Sequence, residues 1–474
     1  MSFSSIEFIF MFLPIIIIST YCMPNKLKNT WLLILSIVFY SIADFRYLFL
    51  IIITVLINYL LGFIIGNTKK IKVKNLMLLV GIFYNLGILS FYKYINFLIE
   101  NINGVLNIFG LANLIGVLNI VLPIGISFYL FQCISYLIDV YRGDGKAEKN
   151  IINLALYITF FPQIFSGPIM KYKDMSTQLT KRVYSSEIFI EGTKRFIFGL
   201  FKKLIIANTL AITADKIFAL NSSELGTSVA WLGVITYTLQ IYFDFSAYSD
   251  MAIGIGRMLG FKINENFNYP YAAKSIKDFW NRWHISLSTW FREYLYFPLG
   301  GNRKGKVNTY RNLFIVFFLC GLWHGAKWNF IIWGIYYGVI LILERINFLG
   351  KFSSRIHPIF KHAYTLLIIG FGWVLFRAES FEQIKYYIRA MVGLSPSTSY
   401  VSIYSYLNSE VALTIMIAII FAMPVQKIIK SYKNKSIFTV LKPITLLILF
   451  FISIMYLLPT TESSEIIKFI YTQF

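Results

Sequence analysis

Charge is what this 474-residue sequence has little of: 14% of its residues are ionisable Asp, Glu, Lys or Arg, where soluble domains carry about 25%. So small a supply cannot cover a water-facing surface. With 57% hydrophobic and 18% aromatic residues and a mean hydropathy of +0.65, the class is a polytopic membrane protein, and disorder and collagen-like repeats are excluded. Acidic residues are scarcer still, 22 against 44 Lys and Arg, for a net charge of +22. The positive residues fall in short clusters between apolar runs, the footprint of loops held on the cytoplasmic side. No long solvated basic surface exists to track phosphates, which argues against a nucleic-acid partner. Only three cysteines are present, Cys22, Cys133 and Cys320, each alone in or near an apolar run, so neither a disulfide framework nor a zinc site is expected.

A bilayer crossing needs about 20 apolar residues. Candidates lie at 7–24, 30–45, 47–65, 76–97, 114–140, 189–218, 229–260, 312–345, 363–380, 411–425 and 441–459. The 34 residues of 312–345 are too many for one upright helix and predict a hairpin or a broken pair, giving about twelve crossings. The first run has no basic residue before Lys26, lacks the positive flank of a cleavable leader, and is expected to be retained. Lys and Arg concentrate at 26–28, 69–74, 142–149, 171–203, 262–311, 345–361 and 427–442, and are absent from 98–113, 219–228 and 460–467. Keeping every cluster inside places both termini outside. It also requires two segments that enter and return on one face, 151–170 with Pro162, Gly167 and Pro168, and the 312–345 pair. No internal repeat or inverted copy of one half is visible, which weakens a transporter reading.

Polar groups inside apolar stretches carry the functional signal, because each is costly unless partnered or facing water. His324, in Gly321-Leu322-Trp323-His324-Gly325-Ala326, lies thirteen residues beyond Arg311, about 20 Å of helical rise. An imidazole there can take and return a proton, or it can simply bridge two helices; the small Gly321, Gly325 and Ala326 predict room for a substrate. Cys320, one turn earlier, raises the alternative of a Cys–His nucleophile pair, although a cysteine in an apolar segment is commonly a core residue. Trp280, Trp283, Leu287, Trp290 and Tyr294 form a stripe at helical spacing, read either as an interfacial anchor or as one face of a helix on which Asn281 and His284 line a channel mouth. The segment 262–311 holds nine basic and three acidic residues, which suits a phosphate-bearing donor and equally suits any cytoplasmic loop. Asp244 and Asp250 sit in an apolar span on different helix faces and read as structural or channel-lining, while Gly256 and Gly260 are placed for close helix packing. Gln132 and Gln163 each stand beside aromatics and a proline break, where a kink or re-entrant turn is expected.

These blocks, LPIGISFYLFQCISYLIDVYRG at 122–143, FFPQIFSGPI at 160–169, DFSAYSDMAIG at 244–254, WNRWHISLSTWFREYLYFPLGG at 280–301 and GLWHGAKWNFIIWG at 321–334, resemble the membrane-bound O-acyltransferase family, in the branch of the alginate O-acetylation membrane proteins. The resemblance implies an all-α polytopic fold of about twelve transmembrane helices, with re-entrant and interfacial amphipathic helices around a central tunnel. It would form a single membrane domain over 1–474, with N-terminal helices at 1–115, a catalytic core at 116–345 and C-terminal helices at 346–474. The family's catalytic histidine falls on His324, and a second family position on Asn281 or His284. Gln132, Gln163, Asp244 and Trp323 are expected along the tunnel.

The activity implied is transfer of an acyl group, acetyl above all, from a cytosolic thioester such as acetyl-CoA to an exported polysaccharide, with no permanently bound cofactor and no metal. Phosphates make coenzyme A costly to move through a bilayer, so a tunnel passing only the acyl group fits. The external loops are short; the largest, 381–410, is too small to fold into a glycan-binding domain, so a separate exported acetyltransferase-type partner is expected. The cell membrane is the expected location. D-alanyl transfer from a carrier protein to teichoic acid, and a non-enzymatic transporter or flippase, are the competing readings.

Overall fold

The structure is a computed structural model, and it describes residues 1–111, 114–346, 357–395, 401–424 and 435–457, with the side chains of 435–442 left aside. Residues 347–356 of the basic stretch 345–361, Pro396, Lys427, Lys430 and Lys433, and the 460–467 connection lie outside the described residues. Among the described residues there are helices and no strands. The contacts divide the chain into two compact units, one of Met1–Gly192, Ile255–Asn264 and Gly325–Lys327, the other of Thr193–Gly254, Glu265–His324 and Trp328–Phe474.

The first unit contains α1 (Leu13–Cys22), α2 (Lys28–Asp44), α3 (Leu48–Asn67), α4 (Ile71–Ile108), α5 (Ile126–Arg142), α6 (Ile151–Thr159) and α7 (Tyr172–Thr180). Asp44, with φ −157° and ψ 80°, ends α2 before a short 3₁₀ turn. Glycine lets α3 and α4 close on α5: a Cβ at Gly62 would sit 2.3 Å from the Tyr136 ring, and one at Gly81 as near the Leu137 side chain. Asn58 and Asn85 satisfy each other across α3 and α4 at 3.1 and 2.9 Å, which removes two amides from contact with lipid.

The expected span at 114–140 is not one helix. Residues before Ile126 are irregular, and α5 starts only after Gly125, whose φ is +75°. A Cβ at Gly125 would lie 2.1 Å from the Ile164 carbonyl oxygen, so glycine is required there both by its conformation and by the backbone that passes over it. The two proline-broken segments thus meet, and Gln132 donates to Gln163 at 3.5 Å with both side chains buried. The chain after α6 turns tightly through 160–167. Gly260 (φ +80°) closes a helix end beside Tyr184 instead of serving as a packing face with Gly256, which lies against Ile263.

From α8 (Ser186–Phe201) the chain continues through a π-helical turn, Lys202–Ala207, into α9 (Asn208–Phe218), then α10 (Thr227–Met258), α11 (Ile276–Arg282), α12 (Ile285–Phe291), α13 (Gly305–His324), α14 (Trp328–Arg345), α15 (Pro358–Arg377), α16 (Phe381–Met391), α17 (Ser409–Ala422) and α18 (Lys435–Met455). The 381–410 connection is therefore partly helical, with Tyr387, Ala390 and Met391 buried. The 312–345 stretch is two helices that turn at Gly325–Lys327. Among the described residues, four helical stretches are long and apolar enough to cross a bilayer: Lys28–Asn67, Ile71–Ile108, Ser186–Phe218 and Pro358–Arg377.

Candidate active site

His324 is the last residue of α13 and is 4% exposed. Gly321 does not leave space for a substrate, as its size suggested. A Cβ there would fall 2.4 Å from the Phe330 carbonyl oxygen, and one at Gly334 equally close to that of Phe317. The two glycines bring the backbones of α13 and α14 together and fix the corner from which the imidazole projects. Trp323, Trp333 and Phe376 surround the ring edge-on, with centroids 5.0, 5.0 and 5.3 Å away. Aromatic edges packed against a ring fix its orientation.

His284 reaches the same place from another element. The stripe from Trp280 to Tyr294 is not a single helix: α11 ends at Arg282, α12 begins at Ile285, and His284 between them adopts φ 44° and ψ 54°. A left-handed conformation at a histidine is strained, and such strain gathers at functional sites. All five stripe residues are buried in the protein, so they are core and not a lipid-facing anchor. The Glu344 carboxylate of α14 accepts from the first free amides of α11, Ile276 N at 2.8 Å and Lys277 N at 3.1 Å, satisfying a helix start that would otherwise lack partners.

His284 and His324 line one cavity of about 240 Å³, together with Asn281, Cys320 and Trp280. Lys277, Arg292 and Arg345 also line it, and all three are exposed. Asn281 is exposed as well, whereas His284 is 1% exposed, so the two share the cavity through the helix break and not through a common helix face. The indole N–H of Trp280 is buried without an acceptor. The cavity thus has a basic, exposed rim and an aromatic interior carrying two imidazoles.

Of the remaining residues singled out above, the two glutamines and the two aspartates lie away from this cavity, while Trp323 and Cys320 adjoin it. Gln132 and Gln163 pair with each other in the first unit. Asp244 forms an ion pair with Lys203 at 2.6 Å, both buried. Asp250 is held by Lys202 and Arg195 at 2.7 Å each, and Arg195 reaches on to Glu265 at 2.5 Å. Trp323 packs between the two histidines, 6.1 Å from His284 and 5.0 Å from His324. Cys320 shares the cavity wall with His324.

Three residues escaped sequence reasoning. Asn266, fully buried, places its Oδ1 3.1 Å from His284 Nδ1. The same oxygen accepts from Ser286 N at 3.2 Å and Ser286 Oγ at 2.9 Å, while Asn266 Nδ2 donates to Ser249 Oγ at 3.1 Å. Asn266 is eighteen residues from His284 with no motif linking them, so only tertiary structure reveals the set.

The membrane-bound O-acyltransferase family profile matches residues 147–376, a span that contains the whole cavity. A probable alginate O-acetylase AlgI of Pseudomonas putida is 47% identical over 381 residues, covering 80% of this chain and 78% of that protein. The chain belongs to the membrane-bound O-acyltransferase family. It is accordingly a membrane-embedded acyltransferase. Within the family, similarity extends to a peptidoglycan O-acetyltransferase of Helicobacter pylori (35% identical, 83% of this chain, 80% of that protein) and to a teichoic acid D-alanyltransferase of Bacillus subtilis (32% identical, 55% and 69%).

Proposed function

We propose that this acyltransferase O-acetylates an exported polysaccharide, taking acetyl from a cytosolic thioester, acetyl-CoA, with His324 as general base. The observation that carries the reading is the single cavity in which a basic rim leads to two buried imidazoles. Phosphates of the donor suit Lys277, Arg292 and Arg345. The thioester carbonyl suits the Trp280 N–H, the Asn281 amide or a backbone N–H as donors to the developing oxyanion. His324 then accepts the proton of an acceptor hydroxyl and passes it to the departing thiolate, so that one C–S bond breaks and one C–O bond forms with no net proton change. Relatives named for O-acetylation align over four-fifths of the chain, while the D-alanyltransferase aligns over about half, which favours acetyl over D-alanyl.

In this reading the chain forms one membrane domain with its catalytic core at 116–345. About twelve crossings surround a tunnel through the cell membrane, with Trp323 beside the two histidines as part of its wall, and both termini are extracytoplasmic. The short external connections leave glycan recognition to a separate exported partner. The test is acetyl release and transfer from labelled acetyl-CoA by purified protein. His324→Ala at matched expression is expected to abolish both; undiminished transfer would remove His324 from the mechanism, and vectorial substrate movement without thioester cleavage would replace the enzyme by a transporter.

A further inference from the structure

Asn266 does not line the cavity, yet it hydrogen-bonds a residue that does. Its amide orientation follows from its partners. Ser286 N is an obligate donor and lies 3.2 Å from Oδ1, so that atom must be the oxygen. Ser249 Oγ, 3.1 Å from Nδ2, takes the amide's proton. Ser286 Oγ also lies 3.4 Å from Nδ1, but its hydrogen goes to Asn266 Oδ1 at the shorter 2.9 Å; an oxygen that faces His284 Nδ1 at 3.1 Å accepts, which favours the hydrogen on Nδ1. A neutral imidazole holds one N–H, and Nε2 is then the basic nitrogen.

We propose that Asn266 is a positioning residue that locks His284 in its Nδ1–H tautomer, so that the imidazole presents Nε2 to the acyl-transfer cavity as a proton acceptor. The Asn266 backbone supports the same end. Its carbonyl accepts from Ile285 N at 2.9 Å, anchoring the residue that follows the strained φ of His284, and the Phe245 ring stands edge-on 4.6 Å from the imidazole. Backbone, amide and aromatic ring together leave the histidine one position and one tautomer. This assignment rests on the proposed acyl transfer for its use, though not for its existence.

The chain has four histidines, few enough for ¹⁵N-histidine magic-angle spinning NMR of the full protein in lipid, with His284→Asn assigning the signal. Wild-type protein is expected to show His284 protonated at Nδ1. Asn266→Leu, which keeps the volume and removes the acceptor, is expected to give a tautomer mixture and to lower kcat at least tenfold with little change in donor KM. Asn266→Asp keeps the acceptor and adds a negative charge beside Nδ1–H, so it should retain the tautomer, restore part of kcat and move the acid limb of the pH–rate profile upward. An Nε2–H tautomer in wild type, or an unchanged tautomer in Asn266→Leu, overturns the assignment whatever the activity. A correct tautomer shift with kcat and pH profile unmoved would leave the positioning of a structural histidine and overturn the catalytic part, while absent thioester cleavage in wild type would strike the acyltransfer reading alone.

Discussion

At the scale of single residues, neighbouring positions in one cavity are expected to behave very differently when changed. His324→Gln keeps a polar side chain but no base, and should lower kcat by about 10²–10⁴-fold, the usual range for a lost general base, with the protein's melting temperature nearly unchanged. Cys320→Ser should keep most of the turnover at matched protein level, because general base catalysis at His324 needs no thiol; loss of turnover would point to a Cys–His nucleophile pair. Asp244→Asn leaves the Lys203 ammonium buried beside a neutral amide. Removing one member of a buried pair costs about 3–5 kcal/mol, so detergent-solubilised protein should melt markedly earlier, and Lys203→Met in the same chain should recover much of that loss. His324 was legible from sequence because a histidine in an apolar run is conspicuous. Asn266 was not, since a buried amide becomes informative only when its oxygen is seen against another side chain.

Among the helices, length and proline carried most of what could be read beforehand. A largely apolar stretch of 34 residues predicted a hairpin or a broken pair, and the structure has α13 and α14 with the turn at Gly325–Lys327. Reading 114–140 as one span ignored how Pro123 and Gly125 together stop a helix, and α5 begins where the glycine permits the Ile164 carbonyl to pass. The Trp280–Tyr294 stripe kept its helical period on both sides of a break, which hid the break: α11 and α12 each bury their aromatics, and His284 in the left-handed region has no local signature of the kind glycine would provide. Gly321 was read as empty space when it is contact. Gly321→Val is therefore expected to force α13 from α14, a clash with backbone that cannot repack cheaply, and to abolish folded yield in a fluorescence size-exclusion assay, whereas Gly87→Ala, with nothing within 4 Å of the new Cβ, should be neutral.

At the scale of the whole molecule, part of the excess of 22 positive charges gathers at the cavity described above. Exposed Lys277, Arg292 and Arg345 meet at the cavity rim, and exposed charges act through screened attraction. Replacing all three with glutamine should raise the donor KM roughly tenfold and flatten its dependence on salt, with kcat little affected; an unchanged KM would place donor binding elsewhere. The ion pairs that join α8 and the following π-turn to α10 lie deeper. A lone lysine or aspartate at the centre of a bilayer costs about 2.5–3.5 kcal/mol on insertion scales. Lys203 and Asp244 lie on opposite sides of the short 219–226 connection, each the other's counter-ion at 2.6 Å. The pair therefore fastens two stretches that follow one another in the chain, and each charge is buried with its opposite at hand instead of facing lipid by itself.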